Sequence, residues 1–470
     1  MKKLAPGLAA FVLLSAAFPI AATEPKPFPR EIPPFTADKP LPVPRIVTSR
    51  TPDGLTVWLV PRPGFPKVTA VLAVRGGTAS DPKGSEGIAE FVADMLKEGT
   101  TSRSSRKIAE ELQSVGGSIV TNATDDAIFV DVDGLARGTE TVLAILADVA
   151  RHASFPAEEV ELVRANTLQQ LQVKESTPEF PVEKAFAAAI FGDHPYRLVA
   201  PEPAVIQGAT AASLKREYAR RFRPEGSLLV VIGAFDEKAA LAAVSRLFGG
   251  WKTPGDPVAA TAPPPGPRER EILFVARPGS IQSNVLVGRT GPKISDPDYF
   301  PGTVANTIFG GGFASRLVNN IREEKGYTYS PGSSYRTFVS GGQLQTRAAV
   351  RNDVTAATLN EVFYEMDRMG TTDVSTEELK SAQRLETGLY LLRTQIQGAM
   401  ATQLASFWVK GMPPEFLGSY VAKINAVTAA QVREAGRKLF ASRLEQVVVG
   451  GDPAVKESLG QFGPVRDVKP

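Results

Sequence analysis

Four short signatures recur in the same order in the two halves of this 470-residue chain, each pair about 215 residues apart. Asp81-Pro82 returns as Asp296-Pro297, and Ser102-Arg103 returns as Ser315-Arg316. Glu158-Glu159-Val160 returns as Glu377-Glu378-Leu379. Thr210-Ala211-Ala212 returns as Thr428-Ala429-Ala430. Each of that last pair opens a helical pattern that ends at Phe222 or Phe440 and is followed by an apolar run closed by glycine, 228–233 and 447–451. A single repeated dipeptide carries no weight, but four in order at nearly constant spacing mark a duplicated unit. The fold must therefore be one that roughly 200 residues can build, and that the chain uses twice.

The spacing of elements limits that fold further. Each half opens with β-rich segments, 55–60 and 68–75 in the first, 271–275 and 284–289 in the second, and continues with amphipathic helices and more strands. Strands paired as hairpins with helices grouped beside them predict an α+β architecture: two homologous domains, each an antiparallel-rich sheet covered by helices. Between the halves, 252–268 holds Pro254, Pro257, Pro263, Pro264, Pro265 and Pro267, a composition that resists helix and sheet and reads as a semi-rigid linker. The expected domains are thus 46–251 and 269–455, with 456–470 as a tail.

At the N-terminus Lys2 and Lys3 precede an apolar run, 4–20, and the small residues Ala21 and Ala22, the pattern of a cleaved signal peptide over 1–22. That run is short for a membrane span and is interrupted by Pro6, Gly7 and Pro19, and no later stretch is long and apolar enough to cross. The expectation is a periplasmic or secreted protein with no membrane span after cleavage. Residues 23–45 are proline-rich and predict an extended arm. A net charge of +3 gives no reason to expect nucleic acid or an anionic membrane as partner, and the absence of cysteine excludes disulfides and thiolate metal sites.

The chemistry is concentrated in two places. In the stretch 87–100, Ile88, Phe91, Val92, Met95 and Leu96 recur at helical spacing, while Glu90, Ala93 and Asp94 share the opposite face. That face reads either as the solvated side of an ordinary amphipathic helix or as a pair of carboxylates that could hold a hard cation, although such ions usually ask for more oxygen ligands. In the second half, Phe309-Gly310-Gly311-Gly312-Phe313 is followed by a helical run through Arg322 that stops at Gly326, and a strand is predicted from Tyr327, with Tyr329 on the same face as Tyr327. The three glycines read either as a close backbone approach or as a simple turn. His194, in His194-Pro195-Tyr196, and His152, after the helical stretch 144–151, read as capping or surface residues.

These residues resemble the pitrilysin/insulinase family of zinc peptidases, the inverzincins, over nearly all of the chain after the signal segment. The resemblance also covers Gly76-Gly77, Gly99-Thr100 and Asp193-His194-Pro195-Tyr196. In the family the first helix carries His-x-x-Glu-His. The alignment puts Glu90 and Asp94 where the two histidines stand and Ala93 where the general-base glutamate stands. It puts Gln170, within the helical stretch 158–174, where a third ligand, a glutamate, stands. A catalytic zinc needs neutral imidazole or carboxylate ligands and a base for its water, and Ala93 removes no proton.

The family's other feature is an arginine and a tyrosine at seven-residue spacing in the second domain, which Arg322 and Tyr329 match. There they bind the substrate carbonyl and the developing oxyanion, work suited to a guanidinium and a phenol. The resemblance therefore implies a non-catalytic subunit of a heterodimeric peptidase. This chain would hold no cofactor of its own. A sister subunit bearing His-x-x-Glu-His and zinc would be the partner, peptides the substrate, and the two subunits would enclose a chamber. Gly310, Gly311 and Gly312 would form a substrate loop. The alternative is a peptide-binding or assembly protein of the same fold without peptidase activity. Autonomous hydrolysis with an unusual metal is a third reading.

Overall fold

The computed structural model describes residues 43–253 and 257–469. The expected signal peptide (1–22), nearly all of the proline-rich arm (23–45) and part of the linker fall outside the described residues.

Two six-stranded sheets form the frame. The first takes β1 (Val47–Arg50), β2 (Thr56–Pro61), β3 (Lys67–Arg75), β4 (Ser118–Ala123), β5 (Ala127–Leu135) and β6 (Ser227–Gly233), in the spatial order β1-β2-β6-β3-β5-β4. The second takes β7 (Ile272–Ala276), β8 (Gln282–Gly291), β9 (Gly332–Thr337), β10 (Gly342–Arg351), β11 (Gln446–Gly451) and β12 (Val465–Asp467), in the order β12-β7-β11-β8-β10-β9. Residue for residue of the pattern, β2, β6, β3, β5 and β4 correspond to β7, β11, β8, β10 and β9. β2 and β6 run parallel, as do β7 and β11, and the pairs that follow in each sheet are antiparallel. The duplication is thus a duplication of topology.

The central strands are apolar on both sides for a physical reason. β6, Ser-Leu-Leu-Val-Val-Ile-Gly, is buried throughout, as a strand covered on both faces must be. One face of the first sheet packs Leu72, Val74 and Val132 against Leu143, Leu146 and Val149 of the helix Thr139–His152. Its other face, with Trp58, Val60, Val71 and Val230, joins one core with Met400, Ala401, Leu404 and Ala405. Those four residues belong to the helix Gln397–Val409, which comes from the second half of the chain.

The exchange is reciprocal. Val182, Phe186 and Ile190 of the helix Phe180–Phe191 pack on Leu273, Val275, Leu286 and Val448 of the second sheet. Gly288 makes room for it, since a β-carbon there would lie 2.9 Å from Phe186 Cζ. Each half therefore supplies the cover for the other's sheet. Burying a side chain such as Phe186 or Leu404 contributes about 1.5–3 kcal/mol, so this exchange is a large part of what joins the halves.

Two expectations change. The stretch 456–470 is not a tail beyond the domain. It forms the helix Lys456–Leu459 and then β12, which pairs in parallel with β7. With three residues, two of them charged, β12 has no hydrophobic pattern to announce it, and only its backbone pairing places it. The linker carries no helix or strand over 257–271, as its prolines dictate, but it is fastened at Thr261 and Pro265, whose carbonyls accept from Ser340 and Thr290. Among the described residues no helix is long and apolar enough to cross a membrane.

Candidate functional site

The helix Ile88–Met95 starts at a built anchor. Gly87 sits at φ 96°, and a β-carbon there would fall 2.4 Å from Pro201, so only glycine fits. Its N–H donates to Asp81 Oδ2 at 2.7 Å. The other oxygen of Asp81 receives the Arg221 guanidinium, which is 1% exposed and also bonds Glu217 and, at 2.8 Å, the carbonyl of Gly76. Burial pushes the Asp81 carboxyl up to about 6, with Arg221 pulling the other way.

The expected apolar stripe, Ile88, Phe91, Val92, Met95 and Leu96, is buried. The opposite face is not the solvated one of an ordinary amphipathic helix. Ala93 is wholly buried, and Glu90 and Asp94 are half-buried. Desolvation drives the Glu90 carboxyl up to about 7, against the Lys174 ammonium and with help from Asp94. Asp94 is raised as well, chiefly by burial. Tertiary packing, which helical spacing does not reveal, makes the difference.

Gln170 is exposed on the helix Ala157–Glu175, which packs against Ile88–Met95. One turn further along, Lys174 donates to the carbonyl of Val199 at 2.7 Å and supplies the positive charge that Glu90 feels. An ammonium thus stands where charge compensation is needed. Among the described residues no group of three or more His, Cys, Asp or Glu side chains is gathered closely enough to hold an ion. The histidines are engaged elsewhere. His152 Nδ1 lies 3.0 Å from Asp148 at its helix C-terminus, and His194 Nδ1 accepts from the Tyr196 N–H at 3.2 Å. A zinc centre does not fit the residues present: no imidazole, an alanine at the base position, a neutral amide, and a lysine beside the carboxylates.

The second constellation converges. Gly310, Gly311, Gly312, Arg322 and Tyr329 line one cavity of about 490 Å³, together with Phe313 and Arg347. The helix Tyr299–Asn306 widens into a π-helical turn over Thr307–Gly311, and a second π-helical segment, Val318–Glu324, carries Arg322 in its last turn. Such widened turns recur at functional sites. Gly310 is required by contact, because a β-carbon would come within 2.9 Å of the Ser333 backbone nitrogen on β9. The close approach at that position is of the chain's own β9 backbone.

Gly326, at φ 64°, ends the second segment as expected, its N–H donating to Arg322 O at 3.1 Å. The strand predicted from Tyr327 does not form, and β9 begins only at Gly332. Pro331 has no N–H to give to a ladder, and Thr328 turns its hydroxyl to Ala349 O at 2.6 Å. Without strand alternation Tyr327 and Tyr329 do not share a face. Tyr327 packs on the core that also holds Trp58 and Leu404, and Tyr329 is 78% exposed.

Arg322 lies against two rings, its guanidinium carbon 4.6 Å from the Phe313 centroid and 4.4 Å from that of Tyr329. Its Nε pairs with Glu323 at 3.2 Å. These contacts restrain the guanidinium where it lines the cavity, and its remaining N–H donors suit a carbonyl or carboxylate. Phe313 was not singled out by sequence; its place after three glycines, exposed on the next turn, was the only signal. Sequence also missed the polar seam between the halves. There Asp125 pairs with Arg336, Asp126 accepts from the Val339 N–H at 2.9 Å, and the Tyr196 hydroxyl accepts from the Ser340 N–H at 3.3 Å.

The comparisons with known proteins agree with this geometry. The family described as Insulinase (Peptidase family M16) matches residues 56–202, and the one described as Peptidase M16 inactive domain matches 208–386. An uncharacterized zinc protease of Mycobacterium leprae is 25% identical over 404 residues, covering 85% of this chain and 90% of its own. One from Rickettsia felis is 25% identical over 412 residues, covering 86% and 97%. Among solved structures, a peptidase M16 inactive domain from Pseudomonas fluorescens superposes with a TM-score of 0.81 at 22% identity, over 87% of this chain and 98% of that one. A protease from Helicobacter pylori gives 0.79 at 14% identity, over 87% and 100%.

Proposed function

This chain belongs to the insulinase (M16) peptidase family and lacks its catalytic motif, and from that premise we propose that it is the non-catalytic subunit of a peptide-degrading pair. Its partner is a sister subunit that carries His-x-x-Glu-His and the zinc. The pair works in the periplasm after removal of the 1–22 signal peptide. The observation that carries the proposal is the contrast between the two constellations. The first-half helix offers a buried alanine between two desolvated carboxylates, and the second half offers Arg322 against the Phe313 and Tyr329 rings in the wall of a cavity.

In this reading the metal chemistry belongs to the partner. This chain's residues bind and orient. The Arg322 guanidinium donates to the scissile carbonyl, where negative charge grows, and the Tyr329 hydroxyl, which has no partner among the described residues, donates beside it. Gly310, Gly311 and Gly312 keep the cavity wall low so that a peptide backbone can lie along it.

The test is to mix the purified chain with its zinc-bearing sister and follow cleavage of a quenched fluorescent peptide. Activity in the mixture and in neither chain alone supports the reading. Full activity from a mixture in which Arg322→Ala and Tyr329→Phe are combined defeats it. Peptide binding with no cleavage in any mixture points instead to a peptide-binding or assembly protein of this fold.

A further inference from the structure

The helix Thr376–Gln395 carries four apolar side chains that the fold leaves open. Leu385, Leu389 and Leu392, with Ile396 just past its end, follow at steps of four, three and four, so they share one face. They are 37%, 41%, 61% and 65% exposed. Single exposed leucines are ordinary on a protein surface, but a run of them along one face marks a binding surface.

Three observations say what the surface meets. First, it continues the Arg322 cavity: Leu385 Cδ2 lies 2.7 Å from where a β-carbon on Gly312 would stand, and Gly312 lines that cavity. In the duplication Leu389 and Leu392 occupy the places that Gln170 and Val173 occupy in the first half, so the stripe is the counterpart of the face next to the degenerate site.

Second, Gly388 lies within the helix between Leu385 and Leu392, and a β-carbon there would meet nothing within 4 Å. No internal contact asks for this glycine, although it weakens a helix interior, and the bare backbone lets another chain lie close. Third, the surroundings are cationic. Lys380 and Arg393 are exposed on the same helix, and Arg347 joins Arg322 at the cavity. Of the helix's own three acids, Glu377 is exposed at its first turn, away from the leucines, Glu378 pairs with Arg316 and Glu386 bonds the Thr307 hydroxyl.

We infer that the stripe is an extension of the peptide-binding surface that selects segments in which aliphatic side chains alternate with carboxylates. This rests on the peptide-handling reading above and adds to it a substrate class. Aliphatic groups lie on Leu389 and Leu392, the peptide backbone crosses at Gly388, and the carboxylates meet Arg393, Arg347 and Arg322.

The experiment is fluorescence anisotropy on the full chain with three fluorescein-labelled peptides: alternating leucine and glutamate, leucine and lysine, and serine and glutamate. The leucine–glutamate peptide binds tightest. Leu389→Gln combined with Leu392→Gln, both at exposed positions, weakens it by about tenfold or more and leaves the melting temperature unchanged. Gly388→Val weakens it as well. Equal affinity for leucine–lysine, or no effect of the double variant, overturns the inference.

Two further results separate it from the reading it rests on. If the double variant loses the sister subunit on gel filtration while peptide affinity stays, the stripe is a subunit contact and the inference is wrong. If the stripe-dependent affinity holds but no mixture cleaves peptide, the inference stands and the two-subunit peptidase falls.

Discussion

The Arg322 guanidinium carbon sits 4.4 Å from the centre of the Tyr329 ring, across a break in secondary structure that separates a π-helical turn from β9. Phe313 lies against the same cation at 4.6 Å. Stacking on two exposed rings contributes about 0.5–1 kcal/mol each, enough to fix an orientation but not to hold the fold. Changes here should therefore alter function and leave stability nearly untouched.

Replacing Arg322 by alanine should lower turnover in the two-subunit assay by about a hundredfold or more, the cost of losing a donor aimed at developing charge. Arg322→Lys should not restore it, because an ammonium neither stacks as a plane nor presents a fork of donors. Unfolding midpoints in urea should stay within error of the parent for both variants.

The Glu90 carboxyl titrates near 7 in the folded chain because burial outweighs Lys174. A carboxyl raised above its unfolded value binds its proton more tightly in the fold. Its favourable contribution is complete at pH below about 4.5 and is lost as pH climbs through about 7. Glu90→Gln should thus gain stability relative to the parent above neutrality and flatten the pH dependence between those values. Urea midpoints measured from pH 4 to 8, a range spanning about the two pKa values, check it; an unchanged slope would show that Glu90 is not desolvated.

Arg221 is the side chain on which the start of the Ile88–Met95 helix depends, through Asp81 and the Gly87 N–H. Arg221→Met leaves the buried Asp81 without its cation, while Glu217 keeps Arg220, and should cost about 3–5 kcal/mol. Adding Asp81→Asn to it should recover part of that loss. Chemical denaturation of the two single variants and the double variant gives the coupling between them.

Exchange of helices between the halves makes the two sheets one cooperative unit. Residues 46–251 expressed alone would present Trp58, Val60, Val71 and Val230 to water and should aggregate or bind a hydrophobic dye. Co-expression with 269–469 should rescue solubility. In the intact chain, Phe186→Ala should cost about 3–5 kcal/mol, and one transition should be seen whether Trp58 or Trp408 is followed.

How much of this could be read from sequence depends on how local the determinant is. The β2, β3, β6, β8 and β11 strands are long apolar runs, and each was legible to within two residues. So was the duplication, since dipeptides at turns survive where cores drift. The convergence of Arg322, Tyr329 and the three glycines followed from a family spacing, not from any local signal. What failed was non-local. The burial of Glu90 and Asp94 is imposed by neighbouring elements. The strand expected at Tyr327 ignored Pro331, and β12 is too short and too charged to show a pattern. The helix exchange has no signature at all, because an apolar helix does not say whose sheet it covers.

β1 and β12 complete the two sheets at matching edges, yet one comes from the beginning of the described chain and runs antiparallel to β2, while the other comes from its end and runs parallel to β7. The duplicated unit itself therefore has five strands, and the edge beside β2 or β7 takes an antiparallel strand in one copy and a parallel one in the other. That berth selects for a short extended segment and is indifferent to polarity, so a foreign strand could be grafted there without disturbing the other five.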